Sequence, residues 1–229
     1  MIENLSLTHL IREPREKAGA APPLLLLLHG IGSNEADLMG LAPYLDDRFF
    51  VVSARAPVVM GPGAFGWFNI EFTPAGMVAD VAQAHRSLRI AADFIDELTA
   101  AYRLDARRVY LLGFSQGAMM SLALTMSHPS KTAGVVAMSG RLPAREFEPS
   151  GAADALAGLP VLVTHGLYDP VLPISNGRDI RDRVAALGAS LTYREYPMGH
   201  EVSAESLRDV ARWLTDTLTA AEAAQDSRS

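Results

Sequence analysis

The chain has 229 residues, no cysteine and a formal net charge of −6, from 26 acidic against 20 basic side chains. Without cysteine there are no disulfides, no thiolate metal sites and no cysteine nucleophile. The scattered Lys and Arg form no stripe to track phosphates, so nucleic acid is excluded as a partner.

The length suits a single α/β domain over residues 1–229, with a polar tail from Glu222 that should fray. Near the start, Glu3, Arg12, Glu13 and Arg15 are followed by no long apolar segment. No secretory leader and no stable membrane insertion are therefore expected, and the reading is a cytoplasmic protein. Residues 5–12 read as a strand. Pro22-Pro23 then introduces five consecutive leucines, Leu24 to Leu28, the pattern of a central strand buried on both faces. The run ends at His29-Gly30-Ile31-Gly32, and Ser33 or Asn34 can cap a helix starting near Glu35. This Gly-x-Gly lacks both the third glycine of a dinucleotide fingerprint and the Gly-Lys-Ser/Thr of a phosphate loop.

Residues 49–54 form a further strand. Residues 56–76 are rich in Gly and Pro yet hold Phe65, Trp67, Phe68 and Phe72, and read as an irregular segment folded over the sheet edge. Trp67 there either walls a substrate pocket or pins the segment to the core. A long helix is expected over 77–102, with Val81, Leu88, Ile95 and Tyr102 recurring every seven residues as a core stripe. Arg108-Val109-Tyr110-Leu111-Leu112 is a strand, and Ala118-Met119-Met120 begins a helix. Between them lies Gly113-Phe114-Ser115-Gln116-Gly117. A Gly-x-Ser-x-Gly at a strand-to-helix junction is a nucleophile elbow, which exposes its serine at the start of a helix whose free amides favour a developing oxyanion.

A serine hydroxyl needs a base, and the base needs a third group to orient it. Residues 135–140 read as the next strand. Residues 141–158 are too weakly apolar for a substantial lid, which leaves a minimal cap and an open pocket whose rate saturates smoothly with a soluble ester. Residues 159–166 are a buried strand running into Leu167-Tyr168-Asp169-Pro170-Val171-Leu172-Pro173. A helix over 176–187 follows, then an alternating strand over 191–196 that ends in Pro197-Met198-Gly199-His200. Ser115, Asp169 and His200 thus fall after three separate strands, in the order serine, acid, histidine. The competing acids fit less well: Asp179 and Asp182 sit among Arg178, Arg181 and Arg183 on a solvated helix face, and Asp154 has no strand end beside it. Of the other histidines, His9, His85 and His128 read as surface or packing residues. His29 and His165 read as structural hydrogen-bonders near strand ends. Leu207, Val210, Leu214 and Leu218 line a last helix.

Leu28-His29-Gly30-Ile31-Gly32, the serine pentapeptide, His165-Gly166-Leu167-Tyr168-Asp169-Pro170-Val171-Leu172-Pro173 and Gly199-His200-Glu201 together resemble the phospholipase/carboxylesterase family of α/β-hydrolases, in order and over nearly the whole chain. The resemblance implies an α/β-hydrolase fold with a mostly parallel central sheet and helices on both faces. It implies the triad Ser115, Asp169, His200 and an oxyanion hole from the backbone amides of Ile31 and Gln116. Two glycines around Ile31 allow the turn that would aim its amide at the serine. Trp67-Phe68 resembles the family's aromatic pair, although Asn69 stands where many members carry an Asp. Trp67 and Leu172 are the expected pocket walls. The expectation is a serine carboxylesterase acting on small-molecule esters, thioesters or lysophospholipid-like monoacyl esters, with no metal or cofactor. A homodimer is compatible with the sequence. A ligand-binding receptor with little turnover, or a peptidase or acyltransferase using the same triad, are the alternatives.

Overall fold

The leucine run decides the centre of the molecule. A computed structural model describes residues 5–16, 21–73, 76–142 and 156–226, and in it Leu24–Leu28 is a strand, β2, with every side chain buried. Successive side chains of a strand point to opposite faces. Leu24, Leu26 and Leu28 accordingly enter one hydrophobic core and Leu25 and Leu27 the other. The preceding strand β1 is His9–Arg12, and β3 is Phe50–Ala54. Strands β4 (Val58–Gly61), β5 (Ala64–Gly66), β6 (Ile70–Thr73) and β7 (Gly76–Ala79) form two small hairpins outside the main sheet. The main sheet continues with β8 (Val109–Phe114), β9 (Gly134–Met138), β10 (Pro160–Gly166) and β11 (Ser190–Tyr196). Its order is β1-β3-β2-β8-β9-β10-β11, antiparallel only at β1.

Helices cover both faces. Helices α2 (Val81–Ala101), α3 (Gln116–Ser127) and α4 (Ile174–Ala186) bury Leu88, Leu122 and Ile180 in the first core. Helices α1 (Glu35–Met39) and α5 (Ala204–Asp226) bury Leu38, Val210, Leu214 and Leu218 in the second. Chain connections run outward in opposite directions from the β2/β8 pair. The carboxyl ends of β2 and β8 therefore lie at a topological switch point, where a crevice opens between loops that diverge to opposite sides.

Four expectations need correction. The helix expected from residue 77 begins at Val81, because Gly76–Ala79 pairs with Ile70–Thr73 and Asp80 caps the helix by accepting the Gln83 N–H at 2.9 Å. A stretch read as one irregular segment thus holds two hairpins. The first strand starts at His9 rather than residue 5. At the far end α5 is helical through Asp226, and Glu222 accepts from Arg48 at 2.7 Å and Arg108 at 3.4 Å. Those arginines are largely buried, so the acid is held as their counter-ion where fraying was expected; residues 227–229, the rest of that tail, lie outside the described residues. Residues 143–155, on which the expectation of a minimal cap rests, lie outside the described residues. Among the described residues no helix is long and apolar enough to cross a membrane.

Candidate active site

Strand β8 turns into α3 through Ser115, whose backbone sits at φ +54°, ψ −116°. Few L-residues adopt this conformation, and it persists only where the surroundings enforce it. Here they do: the Ser115 N–H donates to the Met138 carbonyl at 2.9 Å, and its own carbonyl accepts from Ala118 at 3.0 Å. The turn also needs its flanking glycines for space. A Cβ on Gly113 would lie 2.2 Å from the Gly117 carbonyl oxygen, and one on Gly117 would lie 1.8 Å from that of Leu28. Beginning the helix at Gln116 leaves its first amides without an intrahelical acceptor, beside the serine oxygen.

Asp169 lies in the loop after β10, its side chain fully buried. Its Oδ1 accepts the amides of Val171 and Leu172 at 2.9 and 2.8 Å, which fixes the carboxylate plane. Its Oδ2 faces His200 Nδ1 at 2.7 Å, and His200 Nε2 lies 3.0 Å from Ser115 Oγ. A carboxylate can only accept, so Nδ1 carries the proton and Nε2 presents its lone pair to the hydroxyl. The Phe114 ring packs 4.9 Å from the imidazole, and Tyr168 N–H to Met198 C=O at 3.1 Å ties the acid loop to the histidine loop. The structure thus brings together Ser115, Asp169 and His200. Asp179 lies exposed on α4, and Asp182 pairs with Arg181 at 2.7 Å. His9 bridges the Leu7 carbonyl and the Tyr102 hydroxyl, each at 2.9 Å.

The loop after β2 reaches the same edge. Gly30 approaches Ser115 closely enough that a Cβ there would lie 3.4 Å from the serine Cβ. Hydrogen bonds from Gly32 N–H to Phe65 C=O and from Phe65 N–H to Ser33 C=O, both 2.8 Å, brace Ile31 against the β4–β5 hairpin. Buried His29 donates from Nδ1 to the Gly30 carbonyl at 2.7 Å and accepts the Ala56 N–H on Nε2 at 3.0 Å. That pair of bonds requires the neutral ring. Burial pushes its pKa down, against the opposing pull of the Gly30 carbonyl, Asp37 and Glu35. As pH falls, the unfolded chain takes up this proton before the folded one does. Stability contributed by neutral His29 should therefore be whole above about pH 6.5 and decline below it. Thermal midpoints measured down to about pH 5 should fall in the wild type, and the fall should flatten in His29→Asn, whose side chain does not titrate there.

The two expected pocket walls turn out to be supports. Trp67 has no exposed surface; its indole N–H donates to the His29 carbonyl at 3.0 Å, so it backs the loop that carries Ile31. Leu172 is 5% exposed and acts through its backbone, on Asp169. The apolar groups that do reach the surface on these loops are Ile31, Leu167, Tyr168 and Val171. Sequence reasoning also missed the side chain of Gln116. Its Oε1 accepts the Trp67 N–H at 2.8 Å and its Nε2 donates to the Phe68 carbonyl at 2.7 Å, joining the start of α3 to the aromatic segment. The only signal for it was a buried-length amide inside the elbow, which the pentapeptide pattern leaves unspecified.

Comparison with known proteins gives a consistent picture. The family model described as phospholipase/carboxylesterase matches residues 10–218. Acyl-protein thioesterase 1 of Kluyveromyces lactis is 30% identical over 219 residues, covering 88% of this chain and 95% of that protein. Acyl-protein thioesterase 1 of Mycosarcoma maydis is 26% identical over 235 residues, covering 92% and 97%. Among solved structures, esterase PE8 superposes with a TM-score of 0.81 at 28% identity, covering 92% of this chain and 99% of that one. The Bacillus cereus carboxylesterase shares the fold at a TM-score of 0.79 and 23% identity, covering 93% and 96%. A match that spans all but the ends of the sequence, on a sheet whose switch point carries a serine elbow, makes this chain a hydrolase of the phospholipase/carboxylesterase family, with the α/β-hydrolase fold.

Proposed function

We propose that this enzyme is a serine carboxylesterase that hydrolyses monoacyl esters or thioesters through Ser115, His200 and Asp169. The observation that carries the reading is the continuous hydrogen-bonded chain from Ser115 Oγ through His200 to Asp169, with contacts of 3.0 and 2.7 Å. Ser115 Oγ attacks the acyl carbon as His200 Nε2 takes its proton, and the carbonyl π electrons move onto oxygen. The amides of Ile31 and Gln116 receive that oxyanion. When the tetrahedral intermediate collapses, the bond to the alcohol or thiol breaks and His200 returns the proton to the leaving group. Water then repeats the sequence on the acyl-serine, releasing a carboxylic acid. Asp169 keeps the imidazole in the tautomer that makes this possible and stabilises its charged form.

The relatives named acyl-protein thioesterase support thioesters beside oxygen esters as substrates. The exposed apolar side chains on the loops after β2 and β10, Ile31, Leu167, Tyr168 and Val171, support apolar acyl groups of short to medium length. A soluble fluorogenic ester series from acetate to hexanoate tests this. If these side chains half-cover the acyl chain, kcat/KM should rise roughly twofold per added methylene. A flat or falling series would remove these side chains from substrate recognition. Hydrolysis of neither esters nor acyl thioesters would end the proposal itself.

A further inference from the structure

The acid of the triad is held by a second histidine. His165 is the penultimate residue of β10 and is fully buried. Its Nε2 lies 2.8 Å from the Leu172 carbonyl oxygen and 3.6 Å from Asp169 Oδ2. A carbonyl only accepts, so Nε2 carries a proton and donates it to Leu172. The same N–H lies beside the carboxylate oxygen that holds His200. Leu172 is in turn the residue whose amide binds Asp169 Oδ1 at 2.8 Å. His165 therefore closes the turn from 165 to 172 across its mouth, and the closed turn presents the carboxylate. On the other side of the ring Nδ1 has no hydrogen-bond partner among the described residues and rests against Gly177 of α4, where a Cβ would come within 2.7 Å of Nδ1 and Cγ. The helix thus admits the imidazole only because position 177 carries no side chain.

We propose that His165 is a positioning residue for the reaction: it fixes the Asp169 carboxylate toward His200 through the Leu172 carbonyl. The proposal rests on the reading of Ser115, His200 and Asp169 as the reacting triad. A ring that served the core alone would contribute to stability without regard to its N–H, and its loss would cost the same whether or not the acid was intact. A ring that acts through Asp169 should lose its effect on the rate once that acid is gone.

The test uses the full-length enzyme and a soluble fluorogenic ester. His165→Met keeps a similar volume and removes the donor; it should lower kcat by about 10²-fold with KM changed less than about threefold. His165→Gln can place its amide N–H where Nε2 lies, and should recover to within about tenfold of wild type. In an Asp169→Asn background His165→Met should add less than about threefold, because effects within one unit are non-additive. Should His165→Met fail to fold, Gly177→Ala displaces the ring while keeping the histidine itself. That change should lower kcat about tenfold alone and hardly at all beside Asp169→Asn. Wild-type kcat in both His165→Met and Gly177→Ala, equal loss in His165→Met and His165→Gln, or full multiplication of losses with Asp169→Asn would each overturn the proposal. A fluorophosphonate label on Ser115, together with abolished turnover in Ser115→Ala, keeps such a failure distinct from failure of the triad reading.

Discussion

Ser115→Ala should lower kcat by on the order of 10⁶, as loss of the nucleophile does in serine hydrolases, while KM and the fold are retained. The chemical reason is simple: the variant has no oxygen at the end of the His200 lone pair, and a methyl cannot form an acyl bond. The structural reason for an intact fold is equally local. Ser115 is held at its positive φ by backbone bonds to Met138 and Ala118, which alanine keeps. Alanine has the same Cβ, so the strain of the elbow is unchanged. What turnover remains should come from the oxyanion amides and substrate binding alone. Steady-state rates with a fluorogenic ester, circular dichroism and fluorophosphonate labelling check this. Retained turnover or a label on another residue would remove Ser115 from the chemistry.

Asp169→Asn should cost roughly 10⁴ in kcat, whereas Asp179→Asn should be nearly silent. Asp169 Oδ1 accepts two backbone amides, so the asparagine carbonyl oxygen must occupy that position. Its NH₂ then faces His200 Nδ1. Two donors cannot share that contact, and His200 must move its proton to Nε2, which turns the base into a second donor toward Ser115. The geometry survives and the proton acceptor is lost. Asp179 is exposed on α4, where water solvates its carboxylate. Comparing the two variants under identical conditions gives the answer directly, since both make the same change of carboxylate to amide. Equal losses, or the greater loss in Asp179→Asn, would show that the acid is wrongly assigned.

Much of this site is legible in the chain because its parts are local. Five leucines between Pro23 and His29 require a strand covered on both faces, since no alternation offers a wet side. Gly113 and Gly117 declare the elbow because the carbonyls of Gly117 and Leu28 leave no room for a Cβ. Asp169 and His200 follow from their places after strands, since in a parallel sheet those ends share one edge. Long-range contacts are not written in this way. No periodicity tells that Gly76–Ala79 pairs back on Ile70–Thr73, so the amphipathic pattern alone does not reveal that the helix begins only at the Asp80 cap. Glu222 looked like part of a polar tail, because its partners Arg48 and Arg108 lie 174 and 114 residues away. Trp67 and Leu172 show the same limit. Aromatic and aliphatic side chains suit a pocket wall and a packed support equally well, and only the fold decides which surface meets solvent. The sequence by itself determined the sheet, the serine turn and the placing of Ser115, Asp169 and His200 after three separate strands, through sterics within a few residues and the alternation of a strand. The tertiary structure alone decided what holds them: the buried Gln116 amide on the aromatic segment, a neutral His29 under the loop that carries Ile31, and His165 beside Asp169. Each of those depends on hydrogen bonds between groups that meet only after the two cores have closed.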